Sequence, residues 1–150
     1  MKTTAGLSAG LLLGAVIACG GAQKPDDTGA ALRVEVANLW TQIRQWRSEA
    51  RMNLDPPNQL IAWVGNRSVG DVKRKVCREG QTEAPVCNDV CSIADNICDN
   101  AERICQIADQ LGKDDDFAQD KCTSAKASCR EAKQNCCGCT EKAATNGGTW

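Results

Sequence analysis

Apolar residues recur at helical spacing in three stretches of this chain. The first is Leu32, Val36, Leu39, Ile43 and Trp46, at offsets 0, 4, 7, 11 and 14, with Trp40 at the edge of the stripe. Arg33, Arg44, Arg47 and Arg51 fall largely off it. The pattern predicts an amphipathic helix over about 28–52, stopped by Asn53-Leu54-Asp55-Pro56-Pro57. The other two stretches carry cysteine where most helices carry leucine. Cys91, Cys98 and Cys105 fall on one heptad and Cys122, Cys129 and Cys136 on another, with the polar break Gly112-Lys113-Asp114-Asp115-Asp116 between them. Alanine takes the second core slot of each repeat: Ala94, Ala101 and Ala108 before the break, Ala125 and Ala132 after it.

The two cysteine series mirror each other. In an antiparallel hairpin, facing residues have position numbers with a constant sum, and the pairs 105 with 122, 98 with 129 and 91 with 136 all sum to 227. The implied fold-back point lies between Lys113 and Asp114, inside the segment whose Gly and Asp content marks a turn. The sequence therefore predicts two antiparallel helices, about 85–111 and 115–138, bridged by Cys91–Cys136, Cys98–Cys129 and Cys105–Cys122. Pro85 suits a first helical turn, Gly112 a C-cap, and Asp114 to Asp116 a helix N-terminus. Ile93, Ile97, Ile104 and Ile107 form a second stripe, off the cysteine seam, against which the N-terminal helix can pack. The expected fold class is all-α: a small helical bundle built on a disulfide-stapled hairpin.

Cysteine and alanine support each other sterically. Helix axes pack about 8 to 10 Å apart and each Cα lies about 2.3 Å from its axis, so facing Cα atoms approach to roughly 5.4 Å at the wide end. A disulfide needs about 4.4 to 6.8 Å. Small residues between rungs keep the helices within that reach. The bridges also replace apolar area that one Phe, no Tyr and an alanine seam do not supply, since closing a loop of about fifteen residues is worth on the order of 3 kcal/mol.

Of 11 cysteines, Cys19 stands apart and ten remain, an even number suited to an oxidising, exported setting. Six take the three rungs, leaving Cys77, Cys87, Cys137 and Cys139 with three possible pairings. Cys87 lies one turn before Cys91, so its opposite position falls near 140 and favours Cys87–Cys139. Cys137 points about 100° away from Cys136, toward the flank where the N-terminal segment docks, which favours Cys77–Cys137. Between about 58 and 80, Leu60, Ile61, Trp63 and Val64 form a short apolar knot, and Ser68-x-x-Asp71 resembles a capping box opening a short helix that reaches Cys77.

The first nineteen residues have a different character. Lys2 gives a positive start, Leu7 to Ile17 an apolar stretch too short to span a bilayer comfortably, and Val16-Ile17-Ala18-Cys19 resembles the lipobox of bacterial lipoprotein precursors. The resemblance implies a leader over 1–18 that is cut off, a Cys19 that is acylated and anchors the chain in membrane lipid, and a location in the bacterial cell envelope. Gly20 is not the aspartate that retains some lipoproteins in the inner membrane, so the outer membrane is expected. Residues 19–29 read as the lipidated cysteine and a flexible spacer, 30–139 as the cysteine-rich helical domain, and 140–150 as a frayed tail.

Charge narrows the function classes. Removing Lys2 with the leader lowers 18 Lys and Arg to 17 against 19 acids, a net charge of −2, so no global field steers the chain to nucleic acid. Residues 20–78 carry ten basic residues against six acids, and residues 79–150 seven against thirteen. Lys73-Arg74-Lys75 with Arg78 is read as a solvated or acid-docked helix face rather than a nucleic-acid patch.

The hairpin resembles the twin-cysteine helical hairpins called CHCH proteins, although those use nine-residue spacing and two bridges, against six and three here. Some copper chaperones of that group bind Cu(I) through Cys-Cys-x-Cys, and Cys136-Cys137-Gly138-Cys139 is such a string. There it precedes the hairpin; here it follows it, and Cys136 already completes a rung. As a C-x-x-C it sits at a helix C-terminus, whereas redox motifs use the N-terminal end, where the dipole lowers a thiol's pKa. The chain holds no histidine to serve as a hydrolytic base. It is similar as a whole to small cysteine-rich bacterial lipoproteins that carry no assigned activity. The expectation is a non-enzymatic envelope lipoprotein with a structural or protein-binding role, without cofactor or bound metal; periplasmic Cu(I) binding or thiol redox at Cys136 to Cys139 is the alternative.

Overall fold

A computed structural model describes residues 25–74, 77 and 84–145. Among them every regular element is helical: α1 (Pro25–Glu49), α2 (Asn58–Val64), α3 (Val69–Lys73), a 3₁₀ turn (Pro85–Cys87), α4 (Asn88–Leu111) and α5 (Asp116–Thr145). α4 and α5 form an antiparallel hairpin, α1 packs against both, and α2 and α3 pack on α5, with α3 also reaching α4. The result is the disulfide-stapled all-α bundle that the heptad cysteines predict.

The turn between the hairpin arms is built from its own residues. Gly112 ends α4 at φ +92°, where a Cβ would be strained. Asp115 then caps α5, its Oδ1 accepting from the Ala118 N–H at 3.1 Å. Gln119 Nε2 donates back to the Ala108 and Gly112 carbonyls at 3.0 and 3.1 Å, a second donor for acceptors that already take the Gly112 and Asp115 N–H groups.

The seam contains two interleaved series. The bridged cysteines Cys91, Cys98 and Cys105 face Cys136, Cys129 and Cys122 with Cα separations of 4.8, 4.6 and 4.6 Å. Such approach places the helix axes about 9 Å apart. Between the rungs lie the buried Ala94 and Ala101 of α4 and Ala125 and Ala132 of α5, and the buried Ala108 and Ala118 follow on the turn side of the last one. Ala118 extends the second alanine series by one heptad. On the flank facing α1, the fully buried Ile97, Ile104 and Ile107 join Val36, Trp40 and Ile43 in one apolar cluster, which Val64, Val69 and Val72 complete.

Several boundaries differ from expectation. α1 begins at Pro25, so the end of the spacer expected over 19–29 is helical, and a proline suits a first helical turn. It closes at Glu49 rather than near 52, through the Met52 N–H to the Arg47 carbonyl at 2.8 Å, with Arg51 at φ +56°. The tail expected from 140 is helical to Thr145, and α5 runs past Gly138. Bridged cysteines flank Gly138 on both sides, Thr140 Oγ1 donates to the Cys136 carbonyl at 3.1 Å, and Ala143 is buried in the core cluster. α3 has the expected cap, Ser68 Oγ accepting from the Asp71 N–H at 3.1 Å, but stops at Lys73, short of Cys77.

Candidate functional site

Two cations on one face of α5 explain why the chain before the hairpin folds where it does. Lys126, only 7 % exposed, donates through Nζ to the Gly65 and Arg67 carbonyls at 2.6 and 3.0 Å, just past the end of α2. One turn on, Arg130 Nη1 donates to the Val72 and Arg74 carbonyls at 3.4 and 3.3 Å, at the end of α3. Positive groups suit helix C-termini, and carbonyls filled from α5 have no need of further helical N–H partners. α3 gives way to extended backbone at Arg74, short of Cys77. Burial pushes the Lys126 ammonium below its ordinary pKa, with Asp109 opposing the shift. The i, i+4 spacing of Lys126 and Arg130, next to Ala125 and Cys129 of the seam, is the sequence signal for this pair.

The same anchoring makes a cleft of about 370 Å³ lined by Trp63, Arg67, Asp71, Arg74 and Arg130. Trp63 is 40 % exposed, and the guanidiniums of Arg67 and Arg130 lie over its ring at 4.2 and 4.7 Å from the centroid. Arg67 Nε donates to the Trp63 carbonyl at 3.1 Å and Arg74 Nε to the Gly70 carbonyl at 3.2 Å. Asp71 is shared between the Ser68 hydroxyl at 2.7 Å and Arg74 at 3.5 Å. Burial first, and then the Arg67 charge, push the Arg130 guanidinium below its ordinary pKa.

Of the basic run considered in the sequence, Lys73 docks on the acidic arm, at 3.3 Å from Asp99 and 3.1 Å from Glu102 of α4. Arg74 is solvated, its side chain 74 % exposed, while Lys75 and Arg78 lie outside the described residues. The basic N-terminal and acidic C-terminal portions also meet in Arg33 with Asp115 at 2.8 Å and Arg47 with Glu131 at 2.8 Å, whereas Arg103 with Glu35 at 2.7 Å runs the other way.

The structure joins ten cysteines in five bridges. Besides the three seam rungs, Cys87 is bonded to Cys139 with Cα atoms 5.9 Å apart, and Cys77 to Cys137 at 5.2 Å. Cys87 and Cys139 occupy the alanine series, one heptad beyond Ala94 and Ala132, and so form a fourth rung. The string Cys136-Cys137-Gly138-Cys139 thus sends its three sulfurs to Cys91, Cys77 and Cys87, and Cys136 and Cys139 are not bonded to each other. Thiolate chemistry there requires opening bridges to three different parts of the chain.

Beside the fourth rung, a groove of about 540 Å³ runs between the end of α1, the start of α4 and the last turns of α5. Arg51, Val86, Val90 and Ala143 are among its walls, and Val86 is exposed. Cys19 and the lipobox-like Val16 to Cys19 lie outside the described residues; among those described, no helix is long and apolar enough to cross a membrane. No protein family, no curated protein and no solved structure matches this chain, so a functional reading rests on its own residues.

Proposed function

We propose that the chain is a bacterial envelope lipoprotein, held in membrane lipid through acylated Cys19 and facing the periplasm or surface from the outer membrane. Its stapled helical bundle serves a structural or protein-binding role rather than catalysis. The parity of the cysteines carries this reading: of 11, ten are consumed in bridges suited to an exported protein, and Cys19 is the odd one, placed behind a positive start and an apolar stretch. The groove bordered by the exposed Val86 is the surface on which a protein partner would act.

Mass spectrometry of the chain purified from bacterial membranes tests the anchor. The expected product begins at an acylated Cys19, and Cys19→Ala abolishes acyl labelling and leaves a longer or soluble product. An unmodified Cys19 in the native protein sinks the reading. Thiol and metal content of the same preparation separates the classes: ten unreactive cysteines and no metal fit scaffolding or binding, whereas two or more reactive thiols or stoichiometric copper point to Cys136 to Cys139 as a redox or metal centre.

A further inference from the structure

We infer that the cleft formed by Trp63, Arg67, Arg74 and Arg130 is a binding site for a phosphate group. Three guanidiniums line it, from the loop before α3, the residue after α3 and α5, and the one carboxylate in its walls, Asp71, is already shared between Ser68 and Arg74. Among the described residues, Arg67 and Arg130 form no ion pair with an acid. Arg33, Arg47, Lys73 and Arg103, by contrast, each have an acidic partner within 3.3 Å, and the buried Lys126 is satisfied by two carbonyls.

Arg67 and Arg130 are also held in place before any ligand arrives. Arg67 and Arg74 each spend Nε on a backbone carbonyl, and Arg130 spends Nη1 on two. Ring contacts with Trp63 hold Arg67 and Arg130 further. Both terminal nitrogens of Arg67, together with Nε and Nη2 of Arg130, keep their N–H groups unclaimed among the described residues. A tetrahedral oxyanion of up to two negative charges can accept from several such forks and neutralise the excess, whereas a single carboxylate satisfies one. The cleft volume of about 370 Å³ leaves room for a phosphate and part of the group that carries it. The proposal does not rest on the anchor, and the phosphate can come from a lipid headgroup or from a soluble phosphate ester.

The test uses the chain from residue 20 onward, which keeps every described residue and lacks both Cys19 and the apolar leader, so that neither reports on membranes. Inorganic phosphate is titrated at low ionic strength and followed through the Arg Nε–H resonances. The expected result is a saturable shift of Arg67, Arg74 and Arg130. Arg67→Gln and Arg74→Gln should each weaken binding about tenfold, the weight of one charge-assisted hydrogen bond. Arg74→Gln changes an exposed side chain and leaves the bundle folded; Lys133→Gln, on a cation paired with Asp95, leaves binding unchanged. The absence of a saturable response, or equal affinity in Arg67→Gln, Arg74→Gln and Lys133→Gln, overturns the site and reduces the arginines to a cover for Trp63. Vesicles of phosphatidylglycerol and of phosphatidylcholine separate the sources. Binding to the anionic vesicles alone, competed by phosphate, identifies a lipid headgroup, and phosphate binding without vesicle binding a soluble ester. Vesicle binding indifferent to the arginine substitutions counts against the cleft.

Discussion

Arg47 has 0 % exposure, and the other large side chains buried as completely among the described residues are isoleucine and valine. Its Nε donates to the Asn53 carbonyl at 2.7 Å and its Nη2 to Glu131 at 2.8 Å, so one side chain closes the loop after α1 and ties α1 to α5. Removing one partner of a buried charge pair costs more than the pair contributes, because the remaining charge is stranded. Glu131→Ala should therefore lower unfolding stability by about 3 kcal/mol in urea titrations; a loss within experimental error would show that water compensates Arg47. A second charge acts at the start of α3. The Ser68 hydroxyl, with help from the Ser68 backbone and from Arg74 and Arg67, holds the Asp71 carboxyl below its ordinary pKa. The folded pKa is depressed, so the contribution of the cap is complete above about 3.8 and is lost as pH falls through the folded value. The amide resonances of Asp71 and Val72 should titrate below pH 3.8, and Asp71→Asn should abolish that transition. Of these details the Ser68 to Asp71 cap was legible in the sequence, but Arg47 was not. The buried line of α1 is Val36, Trp40, Ile43 and Arg47, rotated from the stripe through Leu39 and Trp46, and an apolar pattern cannot include an arginine whose partner lies 84 residues away.

At the scale of elements, the hairpin was readable because its constraints are arithmetic. A constant sum fixes register, and a disulfide tolerates little error in Cα separation. Ala101 tests that logic, as a fully buried seam residue between the rungs at Cys98 and Cys105. Ala101→Leu should push α4 and α5 apart, cost about 2 kcal/mol, and leave at least one neighbouring rung open after oxidative refolding, counted as free thiols. Complete oxidation with unchanged stability would show that the seam has slack. α2 and α3 were poorly legible for the opposite reason. They are 7 and 5 residues long, below the length at which helices persist on their own. The carbonyls at and just past their ends are held by Lys126 and Arg130, from a helix some sixty positions further on. The ends of α1 and α5 were misjudged because Gly and polar composition marks a chain as free to move, while the bridge at Cys139 and the burial of Ala143 hold it in place.

For the whole molecule, the bridges form a connected pattern rather than five separate staples. Four are nested around the hairpin turn, and Cys77–Cys137 crosses the outermost, Cys87–Cys139. Every peptide bond between Cys77 and Cys139 is thus enclosed by at least one loop, and the turn at Gly112 to Asp115 by all five. Proteolytic nicking follows from this. A single cut at the exposed Lys113 should leave the electrophoretic mobility nearly unchanged without reductant and yield two fragments with it; release of a fragment without reductant would contradict the pairing. The enclosure stops at Cys77, however. A single cut in the segment between α1 and α2 leaves α1 joined to the rest by non-covalent contacts alone, its share of the apolar cluster and the ion pairs of Arg33, Glu35 and Arg47, so a chain held by its N-terminus keeps the stapled portion through one covalent thread, and once that is severed the portion stays only as long as those contacts do.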